Sequence, residues 1–270
     1  MTPRLTIASQ KGGCGKTTTS LNLSLALAEQ GRATLLVDLD PQGSIGHSLG
    51  KGDKELPGLV DALMGACSAE EAVVQTKLPG LSLLPRGRLD PVDVCEFEQA
   101  LLTPSVLDTL LSQIDIDFDL IILDTPSGLG MPTRAALAVS RFVLLLVQAE
   151  PLALRGLGQA LRVIEHVQGE QNPDLQLLGL LPTMVDRGSE TSMNVLVATW
   201  RELCGVLETT IPRAEVFIRA SEQGVPLAYM GGKPSPETLR FNALASEVHT
   251  LIQARTQESE DVEQPIRQLL

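Results

Sequence analysis

Residues 9–19 of this chain read Ser-Gln-Lys-Gly-Gly-Cys-Gly-Lys-Thr-Thr-Thr, and this segment decides how the surrounding sequence is interpreted. A short apolar run, residues 5–8, precedes it, and an amphipathic stretch, residues 21–29, follows it. Strand, glycine-rich turn, lysine, hydroxyl residue and helix is the order that a phosphate-binding loop requires. The alternative is a glycine turn that caps an ordinary helix. The coincidence of glycines, lysine and threonines in one segment favours the phosphate-binding loop.

The glycines of this loop let the backbone approach an anion closely, because they carry no Cβ atom. Successive N–H groups then surround the anion, and the N-terminus of the following helix adds its positive dipole end. Lys16 is placed to reach the β- and γ-phosphates of a nucleotide, and the Thr17 hydroxyl is placed to bind Mg²⁺. The predicted nucleotide-binding residues of the loop are Gly12, Gly13, Cys14, Gly15, Lys16, Thr17 and Thr18.

Apolar segments of strand length alternate with helical segments along the chain. We predict strands at 4–9, 33–38, 81–84, 120–124, 142–148, 177–182 and 207–211, and helices at 16–30, 59–64, 104–114, 133–138, 152–167, 189–204 and 237–254. The strands show little polar alternation, which is typical of a parallel sheet covered on both faces. The predicted fold class is α/β, a doubly wound and mostly parallel sheet with helices on both faces. We expect one domain over residues 1–255 and an acidic, flexible tail over 256–270.

Composition narrows the possible functions. The 270 residues carry a formal net charge of −12, and 43% hydrophobic residues suffice for a large buried core. Only 3% of the residues are aromatic, which disfavours recognition of single-stranded nucleic acid by stacking. The four cysteines and three histidines lack metal-site spacing. Because neither a signal peptide nor an apolar run of membrane-spanning length is apparent, we expect a cytoplasmic protein.

Carboxylates follow two of the predicted strands. Asp38 and Asp40 close the second strand, and Asp124 closes the apolar run Leu-Ile-Ile-Leu. Beside a phosphate-binding loop, such groups orient an attacking water or hold the shell of a metal ion, Asp124 through a bound water. The alternatives are a polar turn for Asp38 and Asp40, and a helix N-cap for Asp124.

The loop departs from the usual pattern G-x-x-x-x-G-K-[ST], because Gln10 stands where the first glycine is expected and a second lysine, Lys11, is present. Lys-Gly-Gly-x-Gly-Lys-Thr resembles the deviant loop of the ParA/MinD family of ATPases, and the small, Soj-like ParA type in particular. Asp-x-Asp-Pro-Gln-Gly and Asp-Thr-Pro, at 38–43 and 124–126, resemble the two switch segments of that family.

The resemblance implies ATP and Mg²⁺ as cofactors and a working homodimer. It assigns Lys11 to the partner's nucleotide across the dimer, Asp40 to the hydrolytic water, and Asp38 to a supporting role at the metal. Contacts to the adenine base are implied for Thr183, Pro212 and Arg213.

The resemblance also implies a partner. ParA-type members bind DNA nonspecifically as ATP-bound dimers, and a ParB-like protein triggers hydrolysis, so we expect a nucleoid-associated ATPase that segregates or positions a cargo. Candidate DNA contacts are Arg187, Arg201, Arg219, Lys233 and Arg240. Since no helix-turn-helix extension precedes the first strand, sequence-specific DNA binding is not expected. The acidic C-terminal segment disfavours the membrane attachment of MinD-type members. The alternative is a MinD-like or adaptor-type nucleotide switch that positions a protein complex without binding DNA.

Overall fold

The computed structural model describes residues 2–48, 56–103, 105–151 and 153–263. Seven strands form one sheet in the order β3-β4-β2-β5-β1-β6-β7, and all neighbours are parallel except β3 and β4. The strands are β1 (Arg4–Ala8), β2 (Thr34–Asp38), β3 (Val74–Gln75), β4 (Leu81–Leu84), β5 (Leu120–Asp124), β6 (Phe142–Gln148) and β7 (Gln176–Thr183). This arrangement confirms the predicted α/β class.

The helices connect and cover these strands. They are α1 (Lys16–Glu29), α2 (Ser44–Ser48), α3 (Leu59–Leu63), α4 (Ala69–Ala72), α5 (Val94–Leu102), α6 (Val106–Ser112), α7 (Met131–Val139), α8 (Ala153–Glu170), α9 (Glu190–Glu202), α10 (Glu215–Gln223) and α11 (Pro236–Glu263). Within the described ranges, no helix is both long enough and apolar enough to cross a membrane.

Alternate residues of the central strands point to opposite faces of the sheet and bury two apolar layers. On one face, Leu5 and Ile7 of β1 pack with α1, α10 and α11. On the other face, Leu35 and Val37 of β2 pack with α3 to α7, while β6 packs against α8. Because both faces are covered, the carboxyl edge of the sheet is the place where loops from several strands meet.

Several predictions about elements need correction, and helix α5 was not predicted at all. Residues 207–211 are not a strand. Isolated bridges at Val206 and Pro212 flank the segment, and the N–H groups of residues 208 and 209 donate to Glu247 of α11 and not to β7. The edge strand β3 was missed because two residues carry no periodicity. Helix α11 continues to Glu263 instead of ending at Ala254. The proposed boundary at residue 255 therefore falls inside a helix, and residues 264–270 lie outside the described residues.

Candidate nucleotide-binding site

The glycine-rich loop joins β1 to α1 and leaves the start of α1 without a side-chain cap. Gly13 and Gly15 have φ angles of +69° and +88°, which L side chains rarely adopt. Gly15 is the N-cap residue and offers no side chain to the first N–H groups of the helix, whose first turn carries no acidic residue. The first N–H groups of α1 therefore remain available to an anion.

Lys16 is a buried cation beneath this loop. Its side chain is only 6% exposed, and its one hydrogen bond within the described ranges goes to the Cys14 thiol at 3.9 Å. A thiol is a weak acceptor for a buried ammonium group. Burying a charge is costly unless the charge is paired and hydrogen-bonded. The ammonium group of Lys16 is therefore suited to an anionic ligand.

Asp124 lies at the carboxyl end of β5, next to the loop. Strand pairing sets Asp124 opposite Ile7 of β1 and opposite Asp38 of β2. The Thr17 hydroxyl donates to Asp124 Oδ2 at 2.8 Å, and the Ser20 hydroxyl lies 2.7 Å from Asp124 Oδ1. The sheet thus places an acidic group against the hydroxyl residue that follows Lys16.

The surroundings of Asp124 change its acidity. Complete burial raises the pKa of this carboxyl to about 6. The hydrogen bonds from Ser20 and Thr17 and the charge of Lys16 act in the opposite direction and lower the pKa. The nearby carboxylate of Asp40 contributes a smaller rise. A bound cation would favour the ionised form of Asp124 and thereby offset the cost of burying its charge.

Asp38 and Asp40 organise the loop that follows β2. The buried carboxylate of Asp38 accepts the N–H groups of Asp40 at 3.0 Å and Ile45 at 3.1 Å. Asp40 accepts the Gln42 N–H and the Ser44 hydroxyl, both at 2.9 Å. Asp38 therefore holds the loop in place, which its predicted supporting role at the metal did not include. Asp40 is half-buried and lines the cavity.

A buried arginine that was not predicted supports the same loop. Arg86 follows β4, is 8% exposed, and donates from Nη1 to the Pro41 carbonyl at 2.6 Å. Pro41 is the neighbour of Asp40 in the chain. Arg86 thus braces the Asp40 loop from a strand two places away from β5 in the sheet.

These elements enclose a cavity of about 440 Å³ at the carboxyl edge of the sheet. This volume lies within the range typical of small-molecule sites. Its wall combines the loop, the start of α1 and the Asp40 loop with residues that follow β5 and β7 and with one residue of α10. The lining residues are Gly13, Gly15, Lys16, Thr17, Thr18, Asp40, Ser44, Thr125, Ser127, Met184 and Ser221.

The segments predicted to contact a base lie beside this cavity. Val185 pairs with Pro212, and its N–H donates to the Ile211 carbonyl at 3.1 Å, which brings residues 183–185 next to 211–213. Thr183 is buried, and its hydroxyl has no hydrogen-bond partner among the described residues. Arg213 is exposed. Thr183, Pro212 and Arg213 do not line the cavity itself, whereas Met184, the residue after Thr183, does.

Lys11 points away from the phosphate-binding cavity. Its side chain is 52% exposed and forms an ion pair with Glu150, which follows β6. A second cavity of about 540 Å³ lies on this side of the loop, between Lys11 and α8. The two lysines of the loop therefore occupy different environments, one buried and one at the surface.

The five candidate DNA contacts do not form a single patch. Arg187, Arg219 and Lys233 are exposed and form no ion pair within the part of the chain that the structure describes. Arg201 is exposed in the last turn of α9, whereas Arg187 precedes its first turn, so roughly 17 Å of helix separates them. Arg240 is half-buried and donates to the Thr210 carbonyl at 3.2 Å. Its contact to DNA stays a prediction, and in this structure its side chain binds the backbone of the protein itself.

This loop, its buried lysine and the strand-end carboxylates define a P-loop nucleotide-binding protein. Comparison with known proteins then identifies the group within that class. A family model described as "AAA domain" matches residues 3–177. Over 252 residues the chain is 37% identical to the chromosome-partitioning ATPase Soj of Thermus thermophilus, with 93% of this chain and 96% of that protein covered. It is 38% identical over 194 residues to the chromosome partitioning protein ParA of Caulobacter vibrioides, covering 71% and 73%.

A solved structure supports the same assignment. The septum site-determining protein MinD of Pyrococcus horikoshii, in complex with Mg-ADP, is 28% identical and superposes with a TM-score of 0.73 over 93% of this chain and 98% of that one. The chain belongs to the ParA/MinD family of P-loop ATPases. The expected cofactors are ATP and Mg²⁺, and that structure holds Mg²⁺ with the related adenine nucleotide ADP.

Sequence reasoning missed several residues at this site. Ser20 lies three positions after Thr17, on the same face of α1, so helical spacing could have identified it. Glu150 follows β6 at the carboxyl edge, where polar residues are often functional. Arg86, Met184 and Ser221 are brought to the site by packing between distant segments, and no local pattern marks them.

Proposed function

We propose that this protein is a nucleotide-gated switch that hydrolyses ATP. It binds ATP and Mg²⁺, forms a homodimer in the ATP-bound state, and as that dimer binds DNA without sequence preference. A partner protein of the ParB type stimulates hydrolysis, and the dimer opens. Cycles of this kind, in the cytoplasm and on the nucleoid, segregate or position a DNA or protein cargo.

The buried ammonium group of Lys16 carries this proposal. Its one hydrogen bond in the described ranges goes to a thiol, and it lies beneath a loop whose N–H groups start an uncapped helix. A phosphate chain supplies the anionic oxygens that both features require. Lys16 and the loop N–H groups would bind the β- and γ-phosphates, and they would hold the negative charge that develops when the terminal phosphate is transferred.

The residues around Asp124 fit Mg²⁺. The Thr17 hydroxyl and the Asp124 carboxylate are hard oxygen donors 2.8 Å apart, next to Lys16. Thr17 would hold the ion directly, and Asp124 would hold it through a bound water. When bound, Mg²⁺ supplies charge neutralisation at the phosphate oxygens.

Asp40 is suited to orient the water that attacks the terminal phosphate. Asp40 lines the same cavity as Lys16, and its carboxylate is kept in place by Gln42 and Ser44. A general base within hydrogen-bonding reach typically contributes 10²- to 10⁴-fold to a rate. In this proposal the isolated protein hydrolyses ATP slowly, and a partner protein accelerates hydrolysis by adjusting the Asp40 loop.

Lys11 would link nucleotide binding to dimerisation. It is about half exposed in the protomer, so it would reach a phosphate of a second copy of the chain once its ion pair with Glu150 is broken. Such a contact forms only when that copy carries a nucleotide. The exposed cations Arg187, Arg219 and Lys233 would be doubled in the dimer, and nonspecific DNA binding requires only that several phosphates be neutralised.

The proposal is tested by light scattering and by a DNA mobility shift with no nucleotide, with ADP, and with ATP and Mg²⁺. We expect a dimer and a DNA shift at low salt only with ATP. Lys16→Ala should abolish both, whereas Lys77→Ala, which removes an exposed lysine outside the site, should change neither. A nucleotide-independent oligomeric state would contradict the proposed switch. An ATP-dependent dimer without DNA binding would support the adaptor alternative instead.

A further inference from the structure

We infer that Glu247 and Arg240 of α11 are positioning residues that fix the base-binding segment relative to the phosphate-binding loop. The inference rests on the proposed function, because it takes residues 211–213 as the side of the site that receives the adenine. Beyond the proposed function, it identifies helix α11 as the element that holds this segment in place.

The segment 208–210 is held by α11 and not by the sheet. Leu207 and Ile211 still pair with β7, through hydrogen bonds of 2.9 Å to the Leu180 and Pro182 carbonyls. Between them the backbone leaves the strand. The N–H groups of Glu208 and Thr209 instead donate to the two carboxylate oxygens of Glu247, at 2.7 and 3.0 Å.

Arg240 completes this attachment one residue further along. Its Nη1 donates to the Thr210 carbonyl at 3.2 Å, two positions before Pro212. Glu247 and Arg240 are two turns apart on one face of α11, and they bind three consecutive backbone units. Hydrogen bonds with a charged partner are about twice as strong as neutral ones, so this pair constrains the segment more than ordinary loop contacts would.

Helix α11 is itself fixed to the helix that carries the phosphate-binding loop. Phe241, Leu244 and Val248 are buried in the same core as Leu23 and Leu27 of α1. In addition, Gln30 Nε2 donates to the Asn242 carbonyl at 2.9 Å. Because α1 begins at Lys16, α11 joins the phosphate side of the site to the segment at 208–213 through one packed unit.

This geometry predicts an effect on base recognition without an effect on phosphate binding. Releasing residues 208–210 would let residues 211–213 move, while Lys16 and Thr17 would stay in place. ATP would then lose affinity, and tripolyphosphate, which has no base, would not. Turnover at saturating ATP would be retained, since among the described residues the hydrogen bonds of the Asp40 and Asp124 side chains go elsewhere.

The experiment is calorimetric titration of the full chain with AMPPNP, GMPPNP and tripolyphosphate in the presence of Mg²⁺, together with steady-state hydrolysis of ATP. The variants are Glu247→Gln and Arg240→Met, with Glu237→Gln as a control that neutralises another carboxylate of α11. Circular dichroism checks that each variant is folded.

We expect Glu247→Gln and Arg240→Met to weaken AMPPNP binding about tenfold, which corresponds to the loss of one charge-assisted hydrogen bond. The preference for AMPPNP over GMPPNP should fall, KM should rise at nearly constant kcat, and tripolyphosphate affinity should not change. Glu237→Gln should match the wild type.

Equal losses for AMPPNP and tripolyphosphate, or no loss in either folded variant, would overturn the inference and leave the proposed function intact. So would wild-type protein that binds AMPPNP no better than tripolyphosphate. Wild-type protein that binds no nucleotide would overturn the proposed function, and the inference with it.

Discussion

Lys11 and Glu150 form an ion pair within a single protomer, so the lysine assigned to the dimer contact is already bound to a carboxylate of its own chain. Glu150 follows β6, on the side of the loop opposite to the cavity that contains Lys16. Dimerisation through Lys11 would have to break this pair. Both side chains are roughly half exposed, and exposed pairs contribute at most about 1 kcal/mol.

Removing the competing carboxylate should strengthen the dimer. We predict that Glu150→Gln increases ATP-dependent dimerisation by up to about thirtyfold, because a symmetric dimer breaks two such pairs of at most about 1 kcal/mol each. Sedimentation velocity over a range of protein concentrations measures this change, and Glu165→Gln on the exposed face of α8 serves as the control. Weaker dimerisation of Glu150→Gln would indicate that this carboxylate supports the dimer and does not compete with it.

Asp40→Ala should separate nucleotide binding from hydrolysis. The substitution removes the carboxylate proposed to orient the water but leaves Lys16 and Thr17 unchanged, so we predict turnover reduced at least about 100-fold with ATP affinity retained. Phosphate release and nucleotide titration measure the two quantities, with Asp93→Ala as an exposed control. If turnover persists, the hydrolytic role belongs to another group.

Arg86→Met should slow hydrolysis through the Asp40 loop. Loss of the 2.6 Å hydrogen bond frees the Pro41 carbonyl, and small displacements of a catalytic group are costly, so we predict about a tenfold lower kcat at an unchanged KM for ATP. Arg88→Met is a matched control, because Arg88 is exposed and contacts Asp61 instead. Equal effects of the two substitutions would indicate a general loss of stability.

The raised pKa of Asp124 predicts a pH-dependent stability of the nucleotide-free protein. The folded state has a pKa of about 6 and the reference value is 3.8, so between these values the folded state binds more protons than the unfolded state. The stability contributed by protonated Asp124 is present below pH 3.8 and is lost as the pH rises through 6.

Asp124→Asn should remove this dependence. Urea unfolding at about pH 5 and about pH 7.5 should show the variant gaining roughly 1–3 kcal/mol relative to the wild type at the higher pH. Subtracting the unfolding free energy of the wild type from that of the variant removes the contribution of other titrating groups, because both proteins share them. Unfolding free energies that stay parallel across this range would mean that Asp124 remains ionised throughout.

Substitution of the exposed cations should distinguish DNA contacts from other arginines. We predict that Arg187→Ala and Arg219→Ala weaken DNA binding by the ATP-bound protein. Each should also lower the slope of log K against log salt by about one, because one phosphate fewer is neutralised. Arg201→Ala, at the far end of α9, should behave as the wild type. A uniform effect of all three substitutions would indicate long-range charge rather than local binding.

Local pattern was enough to predict most of the sheet. The apolar runs that became β1, β2, β4, β5, β6 and β7 are buried on both faces, and their composition alone indicates that environment. Residues 207–211 begin with leucine and end with isoleucine, as a short buried strand can. The prediction of a strand was nevertheless wrong there. The reason is that Glu247, 38 residues or more along the chain, captures the N–H groups that a strand would have used.

The sequence by itself determined the phosphate-binding loop, the family and most of the strands. Glycine, lysine and threonine at fixed spacing act through local backbone geometry, and apolar runs mark buried strands. Only the tertiary structure decided which charges meet. It pairs Lys11 with Glu150, sets Arg86 against Pro41, and commits Arg240 to Thr210. Each of these contacts joins residues at least 30 positions apart, and packing of the helices against the sheet brings them together where no sequence period does.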